Sequence, residues 1–320
     1  SRNRSLSYYP DSLAIISLQT TGPVTASRLG KDRNHHNLGA IVGELLIFEE
    51  HLANKDLQLV ENYLLQKWKV SRQENTFGSP IAYLSFDEKN GNQYPNLADL
   101  NQSASTNANN LEVEGRFGKG IKFSGDDALS FPKEFGDFHR HQPFSFACWI
   151  KPEQLLERGV VLRRSQAWTD AASRGYELII EKGLPSFALV HFWPGNALRV
   201  QSTQVLPVGE WSHFAVTYDG SSGADGVRLY EKGLPASTTV IRDQLTREIT
   251  GGGSPFLAFG ERMRDTGFKN GLLDEFYLYD RILGESEIAV LAGLKESLTQ
   301  EDEYLVFLQT AHPQIGRAHV

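Results

Sequence analysis

The sequence predicts an all-β fold, an antiparallel two-sheet jelly-roll sandwich with a short helix after the last strand of each module. Three observations carry this prediction. Apolar and polar residues alternate in short runs, the mark of strands buried on one face. Gly, Pro, Asn and Asp gather between those runs at hairpin spacing. The pattern of the last strand occurs twice, so the architecture is modular.

At 320 residues, 40% hydrophobic and 22% charged, the chain has the composition of a globular protein with a sizeable core. The formal net charge is −7 and no basic stripe interrupts it, which argues against nucleic acid and anionic membrane as partners. No apolar run approaches the roughly 18 residues of a membrane span. The opening SRNRSLSYY has no hydrophobic signal core, and Met263 is the single methionine; the sequence reads as a fragment whose own start lies upstream, and export stays open. Residues 315–320 resemble read-through of a sequencing adapter and are expected to form no part of the fold. Cys148 is the single cysteine, which removes internal disulfides and Cys-based metal sites. Within FSFACWI it reads as a small buried hydrophobe.

In chain order, the first pattern is Val42-Gly43-Glu44-Leu45-Leu46-Ile47-Phe48. A helix follows, begun by Asn54-Lys55-Asp56 and striped by Leu57, Val60, Leu64 and Trp68. The pattern returns 231 positions on as Leu273-Asp274-Glu275-Phe276-Tyr277-Leu278-Tyr279, with Leu52 and Leu283 in register, and Glu285-Ser286-Glu287 again leads into an apolar stripe, Ile288, Leu291 and Leu294. Each copy marks the end of a module. Residues 1–70 are therefore predicted to be the C-terminal part of a truncated module, 71–79 a polar linker, 80–293 a complete module, and 294–314 the start of a helical downstream segment. Inside the complete module Phe144, Phe146, Cys148 and Ile150 share one face, as do Phe214, Val216 and Tyr218, and Val227 and Leu229. Glu181-Lys182-Gly183 and Asp219-Gly220-Ser221-Ser222 read as hairpin turns.

These strands have a familiar order. The runs Tyr83-Leu84-Ser85-Phe86-Asp87-Glu88, Gly118 to Gly125, Phe144 to Pro152, Trp211 to Gly220 and Gly271 to Phe276 resemble the laminin-G-like (concanavalin A-like) jelly-roll superfamily over the whole second module. Finer runs, Arg163-Arg164-Ser165, Ala167-Trp168-Thr169-Asp170, Ser173-Arg174-Gly175-Tyr176, His191 to Asn196 and Gly260-Glu261-Arg262, resemble the laminin-G-like insert of large planctomycete proteins that carry a cytochrome c-like domain. That resemblance implies an exported multidomain parent in the periplasm or at the cell surface. No Cys-x-x-Cys-His run occurs, so no haem function carries over.

Two groups of residues carry chemistry. Arg164, Trp168, Asp170, Arg174, His191, Trp193, Asn196 and Arg262 form a candidate ligand-binding cluster, because Trp faces stack on sugars and Arg forks pair with carboxylates. The rival reading, which the sequence favours, is a buried network that locks the excursion between strands or docks a neighbouring domain. Asp87, Glu88 and Asp274 form a candidate calcium site, since hard cations take several oxygens and the resemblance places an ion near the terminal strands; surface carboxylates are the plainer reading. Calcium is the one cofactor considered. No catalytic residue is nominated: Glu-x-Asp-x-x-Glu, Gly-x-Ser-x-Gly and His-Glu-x-x-His are all missing, and Asp274 and Glu275, adjacent on a strand, are expected to point to opposite faces. The expected function is a non-catalytic module that binds a glycan or a neighbouring protein domain. A structural spacer and a divergent polysaccharide hydrolase or lyase are the alternatives.

Overall fold

The computed structural model describes residues 79–106, 109–166, 173–252, 254 and 256–294. The module expected at 1–70, the linker through 78, Trp168, Asp170 and all residues after 294 lie outside the described residues. The strands run β1 (Ala82–Leu84), β2 (Gln93–Tyr94), β3 (Ala104–Thr106), β4 (Leu111–Glu114), β5 (Lys119–Lys122), β6 (Leu129–Ser130), β7 (Phe144–Pro152) and β8 (Arg158–Arg163). They continue as β9 (Gly175–Glu181), β10 (Leu184–Phe192), β11 (Asn196–Ser202), β12 (Ser212–Tyr218), β13 (Val227–Glu231), β14 (Leu234–Pro235), β15 (Thr238–Asp243), β16 (Ala258–Phe259) and β17 (Gly271–Tyr279), and a helix, α1 (Glu285–Leu291), closes the series.

Two antiparallel sheets result, as the alternation predicts. One has the order β14-β13-β12-β7-β17-β5-β4, with β1 also on β17; the other runs β15-β11-β10-β9-β8-β16-β6-β3-β2. Between them lies the core. Phe144, Phe146, Cys148 and Ile150 of β7 and Phe214, Val216 and Tyr218 of β12 meet Tyr176, Leu178 and Ile180 of β9, Phe187 and Leu189 of β10, and Phe276 of β17. Burial pushes the Cys148 thiol well above its ordinary range, so it stays a protonated hydrophobe. Lys182 and Gly183 sit in the left-handed region between β9 and β10, as the turn reading requires.

The outer face of the first sheet is covered by α1, whose Ile288 packs with Leu283 on Ala147, Ala215, Tyr230 and Tyr279. The Glu287 carboxylate accepts the Gly284 N–H at 2.8 Å and pairs with Arg281, which fixes the start of the helix. Leu294, expected on the helical stripe, lies past its end and is exposed.

One glycine fixes how the sheets meet. Gly260 has φ +80°, and a Cβ there would overlap the Phe123 ring in the core. Gly260→Ala is expected to lower stability by roughly 2 kcal/mol or more, from a strained backbone and a displaced ring. Denaturant unfolding checks this, and a change within about 0.5 kcal/mol would contradict it.

Candidate functional site

Of the eight residues expected to form one cluster, the six that lie among the described residues fall into separate groups, because sequence proximity did not show which distant segments they grip. Arg174 precedes β9, His191 lies in β10 and Asn196 begins β11. Each is clamped to the segment 244–250, which crosses the ends of these strands. Arg174 Nη1 donates to the Thr250 carbonyl at 3.5 Å, His191 Nδ1 lies 2.6 Å from the Glu248 carbonyl, and Asn196 Oδ1 accepts the Thr246 and Arg247 N–H groups at 3.2 and 3.1 Å. Leu245 and Ile249 point into the core, so the segment acts as a strap over the end of the sandwich. Glu248 then ties it to the loop before β7 through His139 at 3.0 Å and Arg140 at 3.5 Å.

Arg164 belongs elsewhere. Its buried guanidinium pairs with Asp137 at 2.6 Å and Glu134 at 3.6 Å, pinning the 134–137 loop. Arg262 sits in a closed ring of charge on the outer face of the second sheet, built largely from residues the sequence reading did not single out. Around the ring, Arg158 pairs with Asp265 at 2.6 Å and with Glu181, Glu181 with Arg199 at 3.3 Å, Arg199 with Glu177 at 2.5 Å, and Arg262 with both Glu177 and Asp265. Ala188 lies between Glu177 and Arg199 in the ladder, and its small side chain leaves room for their pairing. Burial alone would raise the Glu177 pKa, but the Arg262 and Arg199 guanidiniums outweigh it and hold the carboxylate below its ordinary value. For Asp265 likewise, burial is outweighed by Arg158 and Arg262.

Trp193 is half-buried. Its ring lies on Ala188, Val190 and Ala197, with the Arg199 guanidinium 4.1 Å from its centroid. Next to it Phe192, the last residue of β10, is 46% exposed and pairs with Asn196 where the β10–β11 turn begins. This aromatic escaped the sequence reading, which nominated only its tryptophan neighbour.

The calcium candidates also divide. Asp274 is fully buried, and its Oδ2 accepts the Arg116 and Phe117 N–H groups at 2.7 and 3.0 Å while Oδ1 accepts Glu275 N–H at 2.8 Å. Asp87 Oδ1 accepts Lys119 N–H at 2.9 Å. Both carboxylates thus hold the β4–β5 turn, whereas Glu88 is exposed. Among the described residues no three His, Cys, Asp or Glu side chains gather as a metal cluster. The expectation that Asp274 and Glu275 point to opposite faces fails for a local reason. The β7–β17 register slips between Asp274 and Tyr277, and Glu275 takes φ +50°. This bulge lets the Glu275 carboxylate stay on the outer face, accepting from the Tyr277 and Tyr83 hydroxyls at 2.7 and 3.0 Å.

Among curated proteins, Pentraxin-related protein PTX3 of Mus musculus is 26% identical over 188 residues, 53% of this chain and 46% of that protein, so the chain spans less than half of its length. The binding domain of Paraclostridial Mosquitocidal Protein 1 superposes with a TM-score of 0.53 at 16% identity, over 67% of this chain and 52% of that one. The botulinum neurotoxin serotype G binding domain does so with a TM-score of 0.50 at 14% identity, over 68% and 52%. These likenesses establish the sandwich. Residues 123–289 match the family model for the concanavalin A-like lectin/glucanases superfamily, and the chain belongs to that family.

Proposed function

We propose that this is a non-catalytic recognition module of an exported multidomain protein, and that it binds an acidic polysaccharide at the strapped end of the sandwich. One observation carries the reading: an open aromatic beside a cationic rim on an otherwise acidic chain. The strap and its clamps bring Arg140, Arg174, Arg247, His139 and His191 together around Glu248, although the chain carries −7 overall. The Phe192 ring offers a stacking face there, and the Arg174 guanidinium, which clamps the strap through the Thr250 carbonyl, adds positive charge beside it. Against catalysis, Glu177, Glu181 and Asp265 are each held by arginines, and Glu177 and Asp265 are kept ionised, which leaves neither of them poised as a proton donor.

The spacer reading draws on a different observation, the internal pairing of Arg164 and Arg262. Both readings hold together if the buried charges shape the end that the rim presents. The test is retention of the complete chain on immobilised acidic and neutral polysaccharides. Phe192→Ala and Arg174→Ala are expected to lose most of the binding, with Phe192→Ala unfolding within about 1 kcal/mol of the parent because the residue lies outside the core and is 46% exposed. Unchanged retention in both variants, or no binding to any polysaccharide, would leave the spacer as the better account.

A further inference from the structure

A glycine after asparagine has no Cβ, so its backbone nitrogen can approach the preceding side-chain amide where the fold leaves it room. The chain contains two such pairs, Asn90-Gly91 and Asn270-Gly271. The fold treats them in opposite ways.

Asn270-Gly271 is locked. Asn270 N–H donates to the Phe123 carbonyl at 3.0 Å, Gly271 N–H donates to the Phe268 carbonyl at 3.0 Å, and the Asn270 carbonyl accepts from Glu153 N–H at 3.2 Å. Gly271 is buried against the Phe268 ring and continues into β17. Its nitrogen is committed, and movement toward Asn270 would pull a core strand out of register.

Asn90-Gly91 is open. Both residues are exposed, in a turn closed by Asn90 N–H to the Gln93 carbonyl at 2.8 Å and Gln93 N–H to the Asn90 carbonyl at 3.0 Å. Gly91 has φ +63°, nothing lies within 4 Å of where its Cβ would be, and its N–H donates to nothing among the described residues. We infer that Asn90 is a site of spontaneous deamidation and Asn270 is not.

The step balances without a cofactor. The Gly91 nitrogen, giving its proton to solvent base, attacks Asn90 Cγ; the Cγ–Nδ2 bond breaks and ammonia leaves. Water opens the resulting cyclic imide at either carbonyl, leaving aspartate or isoaspartate. Either product adds a negative charge beside Asp87 and Glu88. The isoaspartate also lengthens the main chain by one carbon inside the two-bond turn before β2. Surface charge and turn geometry therefore change with the age of the molecule.

The experiment incubates the full chain in mildly alkaline buffer, folded and in denaturant, and follows both asparagines by peptide mass spectrometry with fragmentation that separates aspartate from isoaspartate. In the folded chain the Asn90 peptide is expected to convert while the Asn270 peptide stays an amide; in denaturant both convert. Asn90→Gln, whose longer side chain would close a less favoured ring, is expected to abolish the acidic product at this turn. An unconverted Asn90 in the folded chain overturns the inference. So does equal conversion of both asparagines when folded, or an Asn270 that resists equally in denaturant, since the fold would then not be what selects the site.

Discussion

Replacing Arg262 by alanine is expected to lower stability by about 3–5 kcal/mol, the cost of removing one partner from a buried ion pair. The side chain is 0% exposed, and it holds Glu177, Asp265 and the Ser165 hydroxyl at once. Without it Glu177 keeps Arg199, but Asp265 is left with Arg158 at the rim, and water has little access to what remains. Arg262→Lys retains the charge but not the fork that reaches two carboxylates, so an intermediate loss is expected. Equilibrium denaturation measures all three proteins. A loss under about 1 kcal/mol in Arg262→Ala would show that the ring is not a coupled unit.

The ring also sets a direction with pH. Because Glu177 and Asp265 have lowered pKa values in the fold, their contribution is present above the ordinary carboxylate range and is lost as pH falls through their folded values. Removing Arg262 takes away part of what lowers both. The acid-unfolding midpoint of Arg262→Ala is therefore expected to move to higher pH than that of the parent, which circular dichroism across an acid titration would record.

Much of the sandwich was legible because strand alternation is a local signal. Phe144, Phe146, Cys148 and Ile150 face the core as their spacing requires. The site was less legible, and the reason is distance along the chain. Arg174, His191 and Asn196 attracted attention as polar residues at strand ends, but their partners lie 50 to 76 residues away on the strap, and no local pattern names them. Arg199 and Glu177 occupy positions that alternate with Leu198 and Leu178, where polar side chains ordinarily meet solvent; that the outer face is closed over them follows from tertiary packing alone. The Glu275 bulge has the same character. A two-residue period fails wherever one residue enters the left-handed region, and a glutamate gives no warning of it.

At Asp274 the expected effect has two parts. Asp274→Ala should cost about 3 kcal/mol, since three backbone N–H groups lose their acceptor and two of them shape the β4–β5 turn. That turn holds the Arg116 guanidinium 4.8 Å from the Trp149 ring centroid and sets Phe117 edge-on to it at 5.9 Å, so near-ultraviolet circular dichroism should report the loss as a changed tryptophan environment. Burial pushes the Asp274 carboxyl up to about 7, against the pull of the Phe117 and Arg116 N–H groups. A carboxyl raised in the fold gives stability that is complete below its unfolded value and is lost as pH rises through its folded one; the window here runs from about 4 to about 7. His213 works in the opposite sense over much of that window. Burial lowers its pKa to about 4, so the fold gains stability as pH rises toward the ordinary histidine value. The two trends offset in the parent, and Asp274→Asn, which resembles the protonated acid, removes only one of them. Its stability relative to the parent is expected to improve by roughly 2 kcal/mol between pH 4.5 and pH 7.5, below the full linkage because the N–H donors still favour the ionised parent. A difference that stays constant with pH would show that Asp274 is ionised throughout, and that its N–H partners have overcome the cost of burial.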